Sequence, residues 1–175
     1  HQLEDLLTLG DDLLLIEDGR CAGHGRIDEL TRKATCLELL HDCGVLQRLP
    51  GRVAQRDPDG LCWVVPDGAT TVRIAVGDCP APTGAAVEIM LRPTDLALAR
   101  GPITAEVSFS NRIAGRVAHI TRGRQRCLVQ VDAGYATSLL AEITGRAVDR
   151  LALAPGDPVT VLCKAQALRA RALET

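Results

Sequence analysis

The amino-acid sequence predicts a mainly β protein, in which two β segments follow a short α/β segment. Three observations support this prediction. Apolar residues before position 48 recur partly at helical spacing, whereas apolar runs after position 49 are short and separated by turn residues. Prolines and glycines punctuate the later runs, as is typical of strand ends and turns.

Residues 1–48 form the predicted α/β segment. Leucines at helical spacing indicate a short amphipathic helix at its start, namely Leu3, Leu6, Leu7 and Leu9. The apolar run 13–16 and the run 20–24 flank Asp18-Gly19, a dipeptide that favours a tight β-hairpin turn. Residues 27–41 return to a helical period, with a predicted break at 31–35.

Residues 49–102 form the first predicted β segment, with the domain boundary placed at Leu49-Pro50-Gly51. Its β-type runs lie at 61–65, 71–76 and 86–91. Residues 103–172 form the second, with predicted strands at 115–121, 126–131, 139–143 and 159–165 and a helix at 147–153. Short strands with one helix before the last predict an OB-like β-barrel. Similar turns at 82–84 and 155–157 indicate an internal repeat.

Composition narrows the possible functions. The chain carries 20 Lys and Arg against 22 Asp and Glu and only three aromatic residues, which argues against a nucleic-acid-binding barrel. Seven cysteines without paired spacing predict reduced thiols rather than a zinc site or disulfide framework. Cys36, His41 and Cys43 lack a fourth ligand, so we expect no metal site. No apolar run reaches the roughly 20 residues that a membrane span needs.

Four motifs in order resemble the molbindins, a family of molybdate-binding domains also described as Mop or TOBE domains. The first is Ser108 to Val117, which reads SFSNRIAGRV. The later matches lie at 140–144, 151–157 and 161–165. This resemblance implies an OB-like barrel that binds a tetrahedral oxyanion, with 49–102 as a TOBE-like first segment and 103–172 as the molbindin-like barrel.

The start of the chain resembles the end of an ABC transporter ATPase domain, through residues 1–11, residues 16–20 and Gly25. The resemblance implies that His1 is the switch histidine, a catalytic residue that reaches the γ-phosphate of ATP in that family. The phosphate-binding loop, signature motif and catalytic glutamate are absent from these residues. We therefore expect no ATP hydrolysis by this chain alone, and ATP binding only in a longer parent protein.

Molybdate or tungstate is the implied ligand, and its oxygens only accept hydrogen bonds. The predicted side-chain donors are the hydroxyls of Ser108 and Thr144, the amide of Asn111 and the ammonium group of Lys164. The predicted backbone donors are the amides of Ser110 and Ala165. In the family these sites lie between neighbouring barrels, which implies that association of subunits or of the two β segments assembles them. The family's arginine is Ser110 here, and its polar residue in the helix is Ala147. Both departures remove a possible donor.

Together the resemblances imply a regulatory oxyanion-binding domain of the ATP-binding subunit of a molybdate importer. Such a chain would form a homodimer, contact a membrane permease, and lie in the cytoplasm at the inner membrane. Two alternatives remain open: a regulatory or dimerisation domain for import of another solute such as sulfate or a sugar, and a stand-alone molybdate-binding protein. A DNA-binding regulator is disfavoured, because the chain does not start with a helix pair that reads DNA.

Overall fold

The computed structural model describes residues 12–42, 44, 46–70 and 72–173. At the start of this range, β1 (Asp12–Glu17) and β2 (Arg20–Arg26) form the expected antiparallel hairpin. Asp18 and Gly19 have φ angles of 49° and 75°, the left-handed pair that a two-residue hairpin turn requires. The predicted helix at the very start and His1 lie outside the described residues.

Two helices follow the hairpin, as the helical spacing predicted. They are α1 (Ile27–Leu30) and α2 (Ala34–Asp42), and the break between them falls at the predicted position. Leu13 and Leu15 of β1 pack with Leu30, Leu40 and other residues in a small separate core. The outward residues of β1 remain exposed, which gives the hairpin one apolar face toward the helices.

The remainder of the chain forms two five-stranded antiparallel sheets. The first sheet contains β3 (Gln47–Arg56), β4 (Cys62–Pro66), β5 (Ile74–Val76), β6 (Ala86–Leu91) and β12 (Arg169–Ala172). The second sheet contains β7 (Ala97–Arg100), β8 (Asn111–Arg122), β9 (Arg126–Asp132), β10 (Leu139–Thr144) and β11 (Pro158–Cys163). Helix α3 (Gly145–Arg150) connects β10 to β11. The predicted mainly β, OB-like fold is confirmed.

The last strand of each β segment is exchanged between the sheets. Strand β7 follows β6 in the chain but pairs with β11, and β12 follows β11 but pairs with β6. The strand orders are therefore β12-β6-β3-β4-β5 and β7-β11-β8-β9-β10, which correspond strand for strand. A short 3₁₀ turn precedes each exchanged strand, at Pro93–Asp95 and Ala165–Ala167. Buried aliphatic residues of both sheets share one core.

Hydrogen bonds confirm the internal repeat that the two turn sequences indicated. The amide of Gly84 donates to the carbonyl of Val53, and the amide of Gly156 donates to that of Val117, at 2.8 and 2.7 Å. Both glycines have φ near +90°, at 89° and 92°, where a side chain would be strained. The two turns are therefore the same structural feature in each β segment.

Some local expectations differ from the structure. Strand β3 runs through Pro50 and Gly51, where the sequence indicated a domain boundary. Gly51 permits this pairing, because a Cβ at this position would lie only 2.5 Å from the carbonyl oxygen of Val65. Strands β7 and β12 were not predicted, since four residues give no periodic signal. Helix α3 spans Gly145–Arg150 rather than 147–153.

Six cysteines of the described part of the chain are free thiols, five of them buried. Cys36 donates to the carbonyl of Ala22, and His41 contacts Glu142, so each has a structural role in the fold. Within the described ranges, no helix is long and apolar enough to cross a bilayer.

Candidate oxyanion-binding site

Most of the predicted oxyanion ligands meet where β8 begins and β11 ends. Asn111 pairs with Cys163 in the β8–β11 ladder, so the residues before β8 lie beside those after β11. An open pocket of about 300 Å³ lies there, and Phe109 and Lys164 line it together with the turn Thr94–Ala97 of the first β segment. The structure thus brings residues that are more than 50 positions apart in sequence to one pocket.

Ser108, Ser110 and Lys164 are all exposed at this end of the sheet. None of the three side chains has a hydrogen-bond or ion-pair partner among residues 12–42, 44, 46–70 and 72–173. Their two hydroxyls and one ammonium group are donors that remain available to an anion. These are the predicted ligands whose placement fits best.

Asn111 is 2% exposed and already uses its side chain within the fold. Its Oδ1 accepts a hydrogen bond from the amide of Ala75 at 2.7 Å, and its Nδ2 donates to the carbonyl of Ala75 at 2.9 Å. The Asn111 amide therefore links β8 of the second sheet to β5 of the first. This contact competes with its expected use as an oxyanion donor.

Thr144 lies apart from the other predicted ligands within one chain. It pairs with Arg126 beside the β8–β9 turn, at the opposite end of β8 from Asn111. Its hydroxyl oxygen accepts a hydrogen bond from the amide of Ala147 at 3.1 Å, so Thr144 is the N-cap of α3. Within one chain, Thr144 therefore does not meet the predicted ligands at the Ser108 end.

Ala165 is fully buried, and backbone contacts fix its position at the start of the 3₁₀ turn. Its carbonyl accepts a hydrogen bond from the amide of Gly77 at 2.8 Å. A Cβ at Gly77 would lie 3.0 Å from the Ala165 oxygen, so glycine permits this close approach. The turn that follows Lys164 is consequently held against β5 of the first sheet.

Asp95 is a pocket residue that the sequence analysis missed. Its carboxylate lines the same pocket as Lys164, although an anion site should exclude like charge. Only the exchange of strands places residues 94–97 here, so no local motif could have revealed Asp95. The nearby Cys163 adds no charge at neutral pH, because burial raises the pKa of its thiol to about 11.

A second pocket of about 270 Å³ occupies the corresponding position of the first β segment. Arg92 follows β6 as Lys164 follows β11, and it lines this pocket with Asp95, Gln166 and Arg169. The buried Gln47, which opens β3 as Asn111 opens β8, accepts a hydrogen bond from the Leu140 amide at 3.0 Å. The repeat therefore includes polar residues near both pockets, where Arg92 corresponds to Lys164 and Gln47 corresponds to Asn111.

Comparison with known proteins identifies the domain type. Residues 107–170 match the TOBE domain family. Over 97% of its length the chain is 33% identical to the molybdenum import ATP-binding protein ModC of Bordetella parapertussis. It is 32% identical, again over 97% of its length, to the protein of the same name from Pseudomonas aeruginosa. The chain spans 46% and 47% of the lengths of these relatives.

The fold comparison agrees with this result. A crystal structure of the cytoplasmic molybdate-binding protein ModG, with molybdate bound, superposes with a TM-score of 0.62 at 19% identity. The match covers 71% of this chain and 94% of that one, and it shows that the two share a fold. Residues 107–170 therefore correspond to a TOBE domain, and the chain is similar to molybdenum import ATP-binding proteins, as its motifs predicted.

Proposed function

We propose that residues 47–172 form a regulatory domain that binds molybdate or tungstate within the ATP-binding subunit of a molybdate importer. The observation that carries the proposal is the pocket that Lys164 lines, at the end of the sheet where Ser108 and Ser110 are also exposed. None of these three side chains has a hydrogen-bond or ion-pair partner among the described residues. The TOBE match, the names of the relatives and the fold shared with a molybdate-binding protein support the same ligand.

The chemistry of the ligand explains this donor set. A tetrahedral dianion needs several donors around it, since burying an unpaired charge is costly. Lys164 supplies positive charge, the two serines supply hydroxyl groups, and backbone amides at Ser110 and Ala165 extend the set. Thr144 of a second copy would add a further hydroxyl. The proposed site is therefore completed by a homodimer.

The chain spans 46% of the length of its relative from Bordetella parapertussis, and we propose a wider role within a longer parent protein. We propose that ATP binds to that parent, that His1 belongs to its nucleotide site, and that a permease holds it at the cytoplasmic face of the inner membrane. Cytosolic molybdate would bind one arrangement of the subunits more tightly than another and so restrain import. The difference in affinity between the arrangements sets the size of this effect.

Titration calorimetry of the 175-residue chain with molybdate, tungstate and sulfate tests the proposal. We expect binding of molybdate and tungstate, and a loss of about tenfold or more in affinity for Lys164→Ala, because a charged hydrogen bond is removed. Lys33→Ala is the matched control, since Lys33 is the only other lysine and lies between α1 and α2. Equal heat with sulfate, or unchanged affinity in Lys164→Ala, would contradict a selective site.

One observation favours an alternative role in assembly. Asp95 places a carboxylate in the pocket, and this charge opposes anion binding. If no oxyanion binds but the chain dimerises, the domain serves as a subunit contact of an importer for another solute. Light scattering shows whether the chain dimerises, and calorimetry separates the two roles, because a dimer without molybdate heat supports only the role in assembly.

A further inference from the structure

Helix α2 contacts the second sheet through a polar cluster centred on Arg126. The Nε atom of Arg126 donates to Oε2 of Glu38 at 3.2 Å, and its NH1 group donates to Oε1 of Glu142 at 3.1 Å. NH1 also lies 2.6 Å from Nε2 of His41, whose Nδ1 lies 3.0 Å from Oε2 of Glu142. We name Glu38, His41, Arg126 and Glu142 the Arg126 cluster.

The geometry fixes the direction of these hydrogen bonds. Arginine has only donors, so Nε2 of His41 must accept from Arg126. The proton of a neutral His41 then lies on Nδ1 and is donated to Glu142. A single guanidinium therefore joins two side chains of α2 to one side chain of β10. Without Arg126, two carboxylates from opposite sides of the contact would face each other.

The contact around the cluster is small, which makes it suited to opening. Among the described residues, its buried apolar cluster consists of Leu37 of α2 against Leu128 and Leu140 of the sheet. A pocket of about 200 Å³ remains between α2 and β10 beside the cluster. Oε1 of Glu38 is buried and has no hydrogen-bond partner within the described part of the chain. Few apolar contacts and an unpaired oxygen lower the free energy needed to separate the two parts.

The cluster shares a sheet face with one of the predicted ligands. Thr144 pairs directly with Arg126, and Glu142 lies two residues earlier on the same face of β10. Side chains that pair directly across antiparallel strands are about 5 Å apart at Cβ. An anion held at Thr144 would thus lie within reach of the Arg126 guanidinium.

We propose that the Arg126 cluster is a releasable contact that couples oxyanion binding to the position of α2. This inference rests on the proposed function. An oxyanion at Thr144 competes with Glu38 for Arg126, weakens the contact and frees α2 from the second sheet. The α/β segment then moves relative to the sheets when the anion binds.

Amide hydrogen exchange of residues 34–42, measured with and without saturating molybdate, tests the coupling. Arg126→Ala should raise exchange of these amides about three- to tenfold without anion, which is the range expected for a coupled network. Arg122→Ala is the matched control, because Arg122 lies in the same hairpin and pairs with the exposed Asp149 at 2.9 Å. It should leave α2 unchanged.

Molybdate should raise exchange of residues 34–42 in the unmodified chain, and this response should be lost in Glu38→Gln. Glu38→Gln removes one charge of α2 and alters none of the proposed ligands, so it keeps the test valid if Arg126→Ala folds poorly. Equal molybdate responses in both proteins would overturn the coupling. If titration calorimetry detects no binding of molybdate, the proposed function is overturned instead. The proposal that the anion releases α2 then fails with it.

Discussion

Lys164 and Asp95 place opposite charges at one pocket, and we expect their balance to set how strongly the proposed site holds an anion. Motif resemblance identified Lys164, although the sequence placed it inside a strand predicted at 159–165, whereas β11 ends at Cys163. Asp95 was not identified, because it belongs to the other β segment and reaches the pocket through the strand exchange. The sequence therefore predicted the positive charge that attracts an anion, on Lys164, and missed the negative charge that repels it, on Asp95.

Asp95→Asn should strengthen molybdate binding. Removing a like charge at a solvent-exposed pocket is expected to raise the affinity about threefold to tenfold. Calorimetry at low and at high salt measures the effect, which should shrink with added salt because of screening. Asp67→Asn, in an exposed turn after β4 and outside this pocket, should leave affinity unchanged. Unaltered binding in Asp95→Asn would place the anion away from this pocket.

Ser110 illustrates the limit of a motif match at the residue scale. The exposed Ser110 stands where the family has an arginine. No arginine is among the residues that line the pocket, so no other guanidinium takes the place of the missing one. Arg112, two residues later, donates to the carbonyls of Ala105 and Val107 at 3.3 and 3.4 Å. It thereby holds the segment that leads to Ser108 rather than the pocket itself.

Strand β8 is the element that links the candidate site to the rest of the fold. Its first residue, Asn111, is bonded through its amide to β5 of the other sheet. The sequence predicted β8 only from Gly115 onward and assigned Asn111 to the anion. Its structural role depends on β5, which is 36 residues away in sequence, so no local pattern could indicate it.

Asn111→Leu should destabilise the chain, whatever its effect on anions. The substitution leaves the buried N–H and C=O of Ala75 without partners, at a cost of about 2–4 kcal/mol in the free energy of unfolding. Urea unfolding without anion measures this loss. Ser108→Ala, three residues earlier and exposed, should change stability by less than about 0.5 kcal/mol. A fully stable Asn111→Leu would show that the amide serves only the ligand.

At the scale of the whole molecule, the exchange of β7 and β12 joins the two sheets into one unit. Neither sheet has its full set of five strands without a strand from the other β segment. Ion pairs support one exchange, since Arg171 of β12 contacts Glu88 of β6 at 2.9 Å. The two sheets also bury one common core. They should therefore fold and respond to ligand together.

We expect the two sheets to unfold in a single cooperative step. Trp63, the only tryptophan, lies in β4, where its indole N–H donates to Asp57 at 2.7 Å, so its fluorescence reports on the first sheet. Far-UV circular dichroism reports on all strands. The urea unfolding curves from fluorescence and from circular dichroism should have the same midpoint and the same slope. A fluorescence transition that precedes the loss of strand signal would show independent sheets.

The sequence by itself determined the fold class, the hairpin at Asp18-Gly19, most strands, the repeat and the resemblance to molybdate-binding domains. These features depend on local periodicity, on backbone angles that glycine permits, and on motifs that are continuous in the chain. Tertiary structure alone decided the partners of β7 and β12, the contact of Asn111 with β5, the presence of Asp95 in the pocket and the Arg126 cluster. Each of these joins residues that are distant in sequence, and pairing energy between distant segments leaves no signal in either segment alone.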